Sequence, residues 1–144
     1  MEDSKNVLQQ DVASKFLLKD PKRNPVIRII DYDYETNQPI LDDVGETVTY
    51  PANMVTWEID TPKVTDIYLV MPEYEPSIVF DIIPGRMTGT NKWKGFTKRQ
   101  DPVNPVLEKY TIIYKRRDAM GNPDDRLYIY DPIIQVNPEP PLSR

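Results

Sequence analysis

The chain contains no cysteine and no histidine. Without thiols there can be no disulfide framework, no thiolate metal site and no cysteine nucleophile. That absence fits synthesis in a reducing cytosol. Without imidazole the commonest general base and metal ligand is missing, which removes Ser-His-Asp triads and histidine-containing zinc sites together. Glycine is scarce, and Gly45, Gly85, Gly89, Gly95 and Gly121 never fall into a GxGxxG or Walker spacing, so no phosphate-cradling loop is available. No run approaches the ~20 apolar residues that span a bilayer. The opening Met1-Glu2-Asp3-Ser4-Lys5-Asn6 is polar, with no apolar signal-peptide core behind it. The expectation is a protein made in the cytoplasm and not addressed for export, with no membrane insertion and no cofactor.

What remains suits one domain. The 144 residues are enough to bury a single core but too few for a catalytic domain beside a separate binding domain. Hydrophobic residues make up 39% of the chain, and nine Tyr, three Phe and two Trp supply large apolar bodies. The 15 prolines are about twice the ordinary ~5% and punctuate the whole chain, which breaks helices and favours short strands joined by turns.

Alternating apolar and polar residues predict strands at 26–34, 46–50, 54–60, 65–71, 77–83, 108–116, 126–130 and 132–136, the last two either separate or one strand bent at Pro132. In the third, Val55, Trp57 and Ile59 share a face, so Trp57 is a core residue. The stretch 77–83 is apolar on both faces (Ile78, Phe80 and Ile82; Val79 and Ile83) and is expected in the middle of a sheet. The turn-rich run 118–125 closes a hairpin between 110–114 and 127–130.

Short strands of this number favour an all-β, antiparallel sandwich of about seven or eight strands. The strand Val55-Thr56-Trp57-Glu58-Ile59, the late hairpin and the closing Asp131-Pro132-Ile133-Ile134-Gln135-Val136-Asn137-Pro138 resemble the middle and end of immunoglobulin-like domains, over residues 46–138. The resemblance implies an immunoglobulin-like fold, which hosts adhesion modules, enzyme accessory domains and virion decorations alike. Around a sandwich at 25–138, residues 1–24 read as an arm or short helix carrying Val7, Leu8, Val12, Phe16 and Leu17. Residues 139–144 read as an extended proline-rich tail.

Carboxylates are the chemistry left. A glycosidase needs two of them across a cleft, and 23 acidic residues will always offer a pair on paper. For metals the expectation is none. The calcium candidates are Asp31, Asp33 and Glu35, which alternate along a strand end, with Asp42 and Asp43 in the next turn and Asp118, Asp124 and Asp125 in the hairpin loop. The opposing reading of the first set is a solvated sheet face interleaved with inward Tyr32 and Tyr34.

Charge is segregated along the chain. Residues 31–85 hold 12 acidic and 1 basic side chains, whereas residues 86–117 hold 9 basic and 2 acidic ones. The basic segment centres on Arg86, Lys92, Lys94, Lys98 and Arg99, with Trp93 and Phe96 among them, and reads as a long loop that Lys115-Arg116-Arg117 could extend. Three readings compete. Trp93 and Phe96 fold into the core beneath solvated lysines. The segment docks an acidic protein face, including the 31–85 region of another copy. It binds nucleic acid or an acidic glycan by cations and stacking, against which stands a pI near 4.8.

These observations point to a non-enzymatic structural protein that binds neighbouring protein subunits and does not bind nucleic acid: a virion component of a tailed bacteriophage, as a capsid decoration, head-tail or tail protein. The alternative is an immunoglobulin-like carbohydrate-binding or adhesion module of a bacterial surface protein, which would bind a glycan. A small carboxylate hydrolase stands third.

Overall fold

Alternation decides which side of each strand is buried, and in this chain it works through ten strands. A computed structural model describes residues 16–141, with β1 Val26–Asp33, β2 Gln38–Leu41, β3 Glu46–Thr49, β4 Met54–Ile59, β5 Val64–Pro72, β6 Phe80–Arg86, β7 Trp93–Thr97, β8 Val106–Arg116, β9 Tyr128–Tyr130 and β10 Ile133–Val136. The first sheet has the order β2-β1-β4-β7-β6 and the second β3-β10-β8-β5, with β9 also pairing β8. Inward residues of both sheets, among them Ile27, Val55 and Trp57 from the first and Tyr110, Ile112 and Ile134 from the second, form one buried cluster. Trp57 stands at its centre, edge-on to the Tyr110 ring at 5.5 Å and donating from Nε1 to the Tyr110 hydroxyl at 3.1 Å. Burying each such side chain contributes about 1.5–3 kcal/mol, against about 0–1 kcal/mol for an exposed ion pair, so the core holds the sheets together.

The all-β architecture and the late hairpin match the sequence reading, the latter with Ile112 opposite Tyr130 and Tyr114 opposite Tyr128. Three expectations are corrected. The sheets are mixed, not antiparallel, because β1 runs parallel to β4 and β3 parallel to β10. Between β1 and β4 the chain crosses to the second sheet as β3 and returns, the kind of crossover that parallel neighbours require. Among the described residues the strands number ten, because β2 and β7 were not foreseen. The stretch 77–83 is not central: it leads into β6, an end strand, and both Ile82 and Ile83 are 58% exposed.

Prolines mark the ends of the sheets. Pro39, Pro72 and Pro84 lie in β2, β5 and β6, each at the end of its sheet's order, where the missing N–H breaks no ladder. Side chains also shield the β5 edge: Arg86 Nη2 and Trp93 Nε1 both donate to the Ile67 carbonyl, at 2.6 and 3.0 Å.

The described parts of both termini are tied to the second sheet. The Gln135 side-chain amide exchanges two hydrogen bonds with the Leu17 backbone, and Lys22 N donates to Val48 O. Glu139 accepts two hydrogen bonds from Arg23, at 2.7 and 3.0 Å. Val7, Leu8 and Val12 of the expected arm lie outside the described residues, as do Leu142, Ser143 and Arg144 of the expected tail.

Candidate functional site

The basic segment is not a loop. Its core is β7, an inner strand between β4 and β6, with Trp93, Gly95 and Thr97 buried and Lys94 and Phe96 facing outward. Strand alternation therefore divides the seven residues expected to form one docking loop. Trp93 is only 6% exposed, which removes it both from a docking surface and from a sugar-stacking platform. Arg86 reaches Asp66 at 3.2 Å and lies over the Trp93 ring. Lys92 sits 3.5 Å from Glu58, which also accepts from Arg28 at 2.8 Å. Lys94, Lys98 and Arg99 are left, with no carboxylate within salt-bridge distance among the described residues.

The expected segregation into one acidic and one basic exterior is corrected by the same pairings. β4 lies against β7, so Glu58 meets Lys92, and Asp66 of β5 meets Arg86 of β6 from the other sheet, so these charges are paired within the molecule. What faces out from this sheet is mixed: Met54 pairs across to Phe96 and Phe96 to Ile82, while Lys94 lies opposite Thr56.

Around Lys98 the sandwich opens. Where β7 ends and β6 and β8 begin, a cleft of about 240 Å³ is lined by Ile78, Val79, Lys98, Gln100, Pro102, Val106 and Val136. Its walls are fixed by backbone hydrogen bonds: Lys98 N donates to Val79 O at 2.9 Å, and Ala52 N donates to Lys98 O at 2.9 Å. The segment that carries Ile78 and Val79 also hangs on Glu108, which is 2% exposed. Its Oε1 accepts from Ser77 Oγ at 2.6 Å and from Ile78 N and Val79 N at 3.1 Å, and its Oε2 accepts from Tyr74 N at 2.9 Å. This buried carboxylate serves the backbone as an anchor. A second groove shares the Lys98 corner, lined by Ala52, Asp81, Ile82, Phe96, Thr97 and Arg99, and there Asp81 Oδ2 accepts from Arg99 N at 2.9 Å.

The other end of the sandwich is filled by its own side chains. The Arg116 guanidinium lies over Tyr128, Tyr32 and Tyr34 at 4.2, 5.1 and 5.3 Å. Its Nη2 donates to Asn37 Oδ1 at 3.1 Å, while its Nε has no hydrogen-bond partner among the described residues. Asp124 beside it accepts from Arg126 and from the Tyr128 hydroxyl, and these bonds hold its carboxyl well below the usual range. Burial and the bond to Tyr32 push the Tyr114 phenol up.

The calcium candidates organise turns and pairs. Asp31 meets Lys63 at 2.7 Å, which lowers its pKa. Asp33 Oδ1 accepts from the backbone of Glu35 and Thr36, Asp42 from that of Arg28, Asp43 from that of Gly45, and Asp118 from that of Met120 and Asn122. Among the described residues no three carboxylates gather in a way that could hold a metal ion.

Sequence reasoning missed Glu108, Val106 and Val136 as parts of one place. Glu108 did carry a signal, since it is an acid in the inward register of an otherwise apolar strand, two residues before Tyr110. No protein-family model matches this chain, and no curated protein is significantly similar to it.

Proposed function

We propose that this chain is a non-enzymatic structural protein that binds neighbouring protein subunits of a larger assembly through the outer face of β4, β7 and β6. The observation that carries the reading is the selective pairing of charge on that face. Arg28 and Lys92 share Glu58 and Arg86 turns inward over Trp93 to Asp66 of the second sheet, whereas Lys94, Lys98 and Arg99 stand beside exposed Met54 and Ile82 without a carboxylate partner among the described residues. Cations beside apolar side chains suit an acidic protein surface, where charge sets orientation and rate and apolar contact adds affinity. The assembly we assign is the virion of a tailed bacteriophage, with the chain as a capsid decoration, head-tail or tail component. A small sandwich with both described termini tied down by Gln135 and Glu139 suits a place among other subunits.

The fold within this proposal is immunoglobulin-like. In support, β4-β7-β6 follows the B-E-D order and β10-β8-β5 the G-F-C order of that class. The parallel β1 beside β4 is a departure from it.

The test is reversal of Lys94, Lys98 and Arg99 to Glu in purified particles. Attachment should be lost while the unfolding midpoint stays within a few degrees of the parent, and retained attachment overturns the docking face. Light scattering at low and high salt reads self-association directly, because charge-driven contacts weaken as salt screens them.

A further inference from the structure

We infer that the cleft beside Lys98 is a socket for one apolar anchor side chain, carried on an acidic extended segment of a partner protein. The inference rests on the docking reading above and names the chemistry of the partner.

Size selects the occupant. A free organic ligand ordinarily occupies a pocket of about 300–1,000 Å³, and a dry apolar cavity of about 150 Å³ takes a benzene ring. At about 240 Å³ the cleft suits a single leucine or phenylalanine side chain. Its surfaces agree: Ile78, Val79, Pro102, Val106 and Val136 supply the larger, apolar part of the lining, and Lys98 and Gln100 the polar part.

Charge selects the flanks. Lys98 and Arg99 lie next to each other at this corner, without carboxylates in salt-bridge reach among the described residues, and Lys94 continues the row along β7. An anionic segment would supply the missing partners. The chain's net charge of −5 makes a polyanion as long as a nucleic acid a poor occupant, because the whole molecule repels it.

The strand edge selects an extended backbone. Among the described residues β6 has only β7 beside it in its sheet, and the exposed Ile78, Ile82 and Ile83 run from the mouth of the cleft along this edge. Pro84 has no amide and those of Ile78, Val79 and Phe80 are taken by Glu108 and Ser77, so backbone pairing is confined to residues 81–83 while side-chain contact reaches Ile78. The socket is also held in shape before anything binds, by the Lys98–Val79 backbone bond and by Glu108, and that lowers the cost of ordering it.

The experiment uses a fluorescein-labelled peptide with one phenylalanine between two runs of three glutamates, titrated into the full chain with anisotropy and amide chemical shifts as readouts. Saturable binding is expected, with shifts concentrated at residues 78–83 and 98–102. Replacing the phenylalanine by alanine, or the glutamates by lysines, should each weaken binding at least tenfold. On the protein side K98E should weaken it at least tenfold, and V106W, which fills the cleft, should abolish it. If V106W shifts the unfolding midpoint, K98E and the shift map decide. The socket is overturned if the peptide does not bind by 1 mM, if the alanine peptide binds equally well, or if the shifts lie elsewhere. It is overturned too if decanoate or a single-stranded oligonucleotide binds the same residues more tightly. If the socket fails while reversal of Lys94, Lys98 and Arg99 still releases the chain from particles, the docking face stands without it.

Discussion

Glu108 Oε1 and Ser77 Oγ lie 2.6 Å apart, both buried and 31 residues from each other in sequence. The Ser77 hydroxyl in turn accepts from Val79 N and Phe80 N, so one carboxylate and one hydroxyl together take up the amides of the segment that enters β6. Glu108→Gln keeps the shape, but its amide must direct a donor either at Tyr74 N or at the three donors around Oε1. A loss of about 1–3 kcal/mol is expected, the cost of a buried donor left facing a donor. Glu108→Ala should lose more, because Tyr74 N, Ile78 N and the Ser77 hydroxyl then lose their acceptor and Val79 N keeps only Ser77 Oγ. Urea unfolding measures both, and a glutamine variant as stable as the parent would mean that the segment is held by something else.

Gly95 has no room for a side chain. A Cβ there would lie 2.9 Å from the Ile82 carbonyl oxygen and 3.3 Å from Phe80 Cδ1, against the backbone of the neighbouring strand. Gly95→Ala should therefore force β6 and β7 apart and cost about 1–3 kcal/mol. Gly85 in the next strand has nothing among the described residues within 4 Å of its Cβ position, and Gly85→Ala should be close to neutral. Thermal unfolding of the pair makes the comparison, and equal effects would refute the steric account.

The contrast at β7 also explains how much could be read from the sequence. Strands such as β4 and β8 were legible because β-branched and aromatic residues alternate with polar ones over six or more positions. In β7 the inward positions are Trp93, Gly95 and Thr97, and the glycine demanded by the crowding of β6 looks in sequence like a loop. β2 was hidden by its length of four residues and by Pro39, which belongs at a sheet end. Alternation gives the face of a residue and says nothing about its neighbour strand, which is why parallel pairing and the meeting of Glu58 with Lys92 were invisible. Pro84 was the overlooked sign that residues 77–83 lead into an edge.

Val44 adopts φ +54° and Gly45 φ +77°, and Glu46 N donates to Asp43 O, which makes Asp43 to Glu46 a type I′ turn. A β-branched residue is costly in this conformation, and Val44 is 66% exposed, so little burial offsets the strain. Val44→Asn should stabilise the chain by about 1 kcal/mol. A lower unfolding midpoint in the asparagine variant would show that the valine makes contacts that outweigh the strain.

Acid should unfold this protein through a few paired carboxyls. Asp31 is held below the ordinary carboxylate range by its hydrogen bond from Lys63, Asp124 by those from Arg126 and Tyr128, and Glu139 by those from Arg23. A carboxyl whose folded pKa is depressed contributes its stability above the unfolded value of about 4 and loses it as pH falls through the folded value. The melting temperature should thus be flat between about pH 5.5 and 8, where no histidine titrates, and should fall progressively below pH ~4. Asp124→Asn removes the most strongly depressed of the three. It should lower the melting temperature at pH 7 and flatten the acid limb between pH ~4 and ~2. An acid limb parallel to that of the parent would show that the Asp124 pairing carries none of the acid sensitivity.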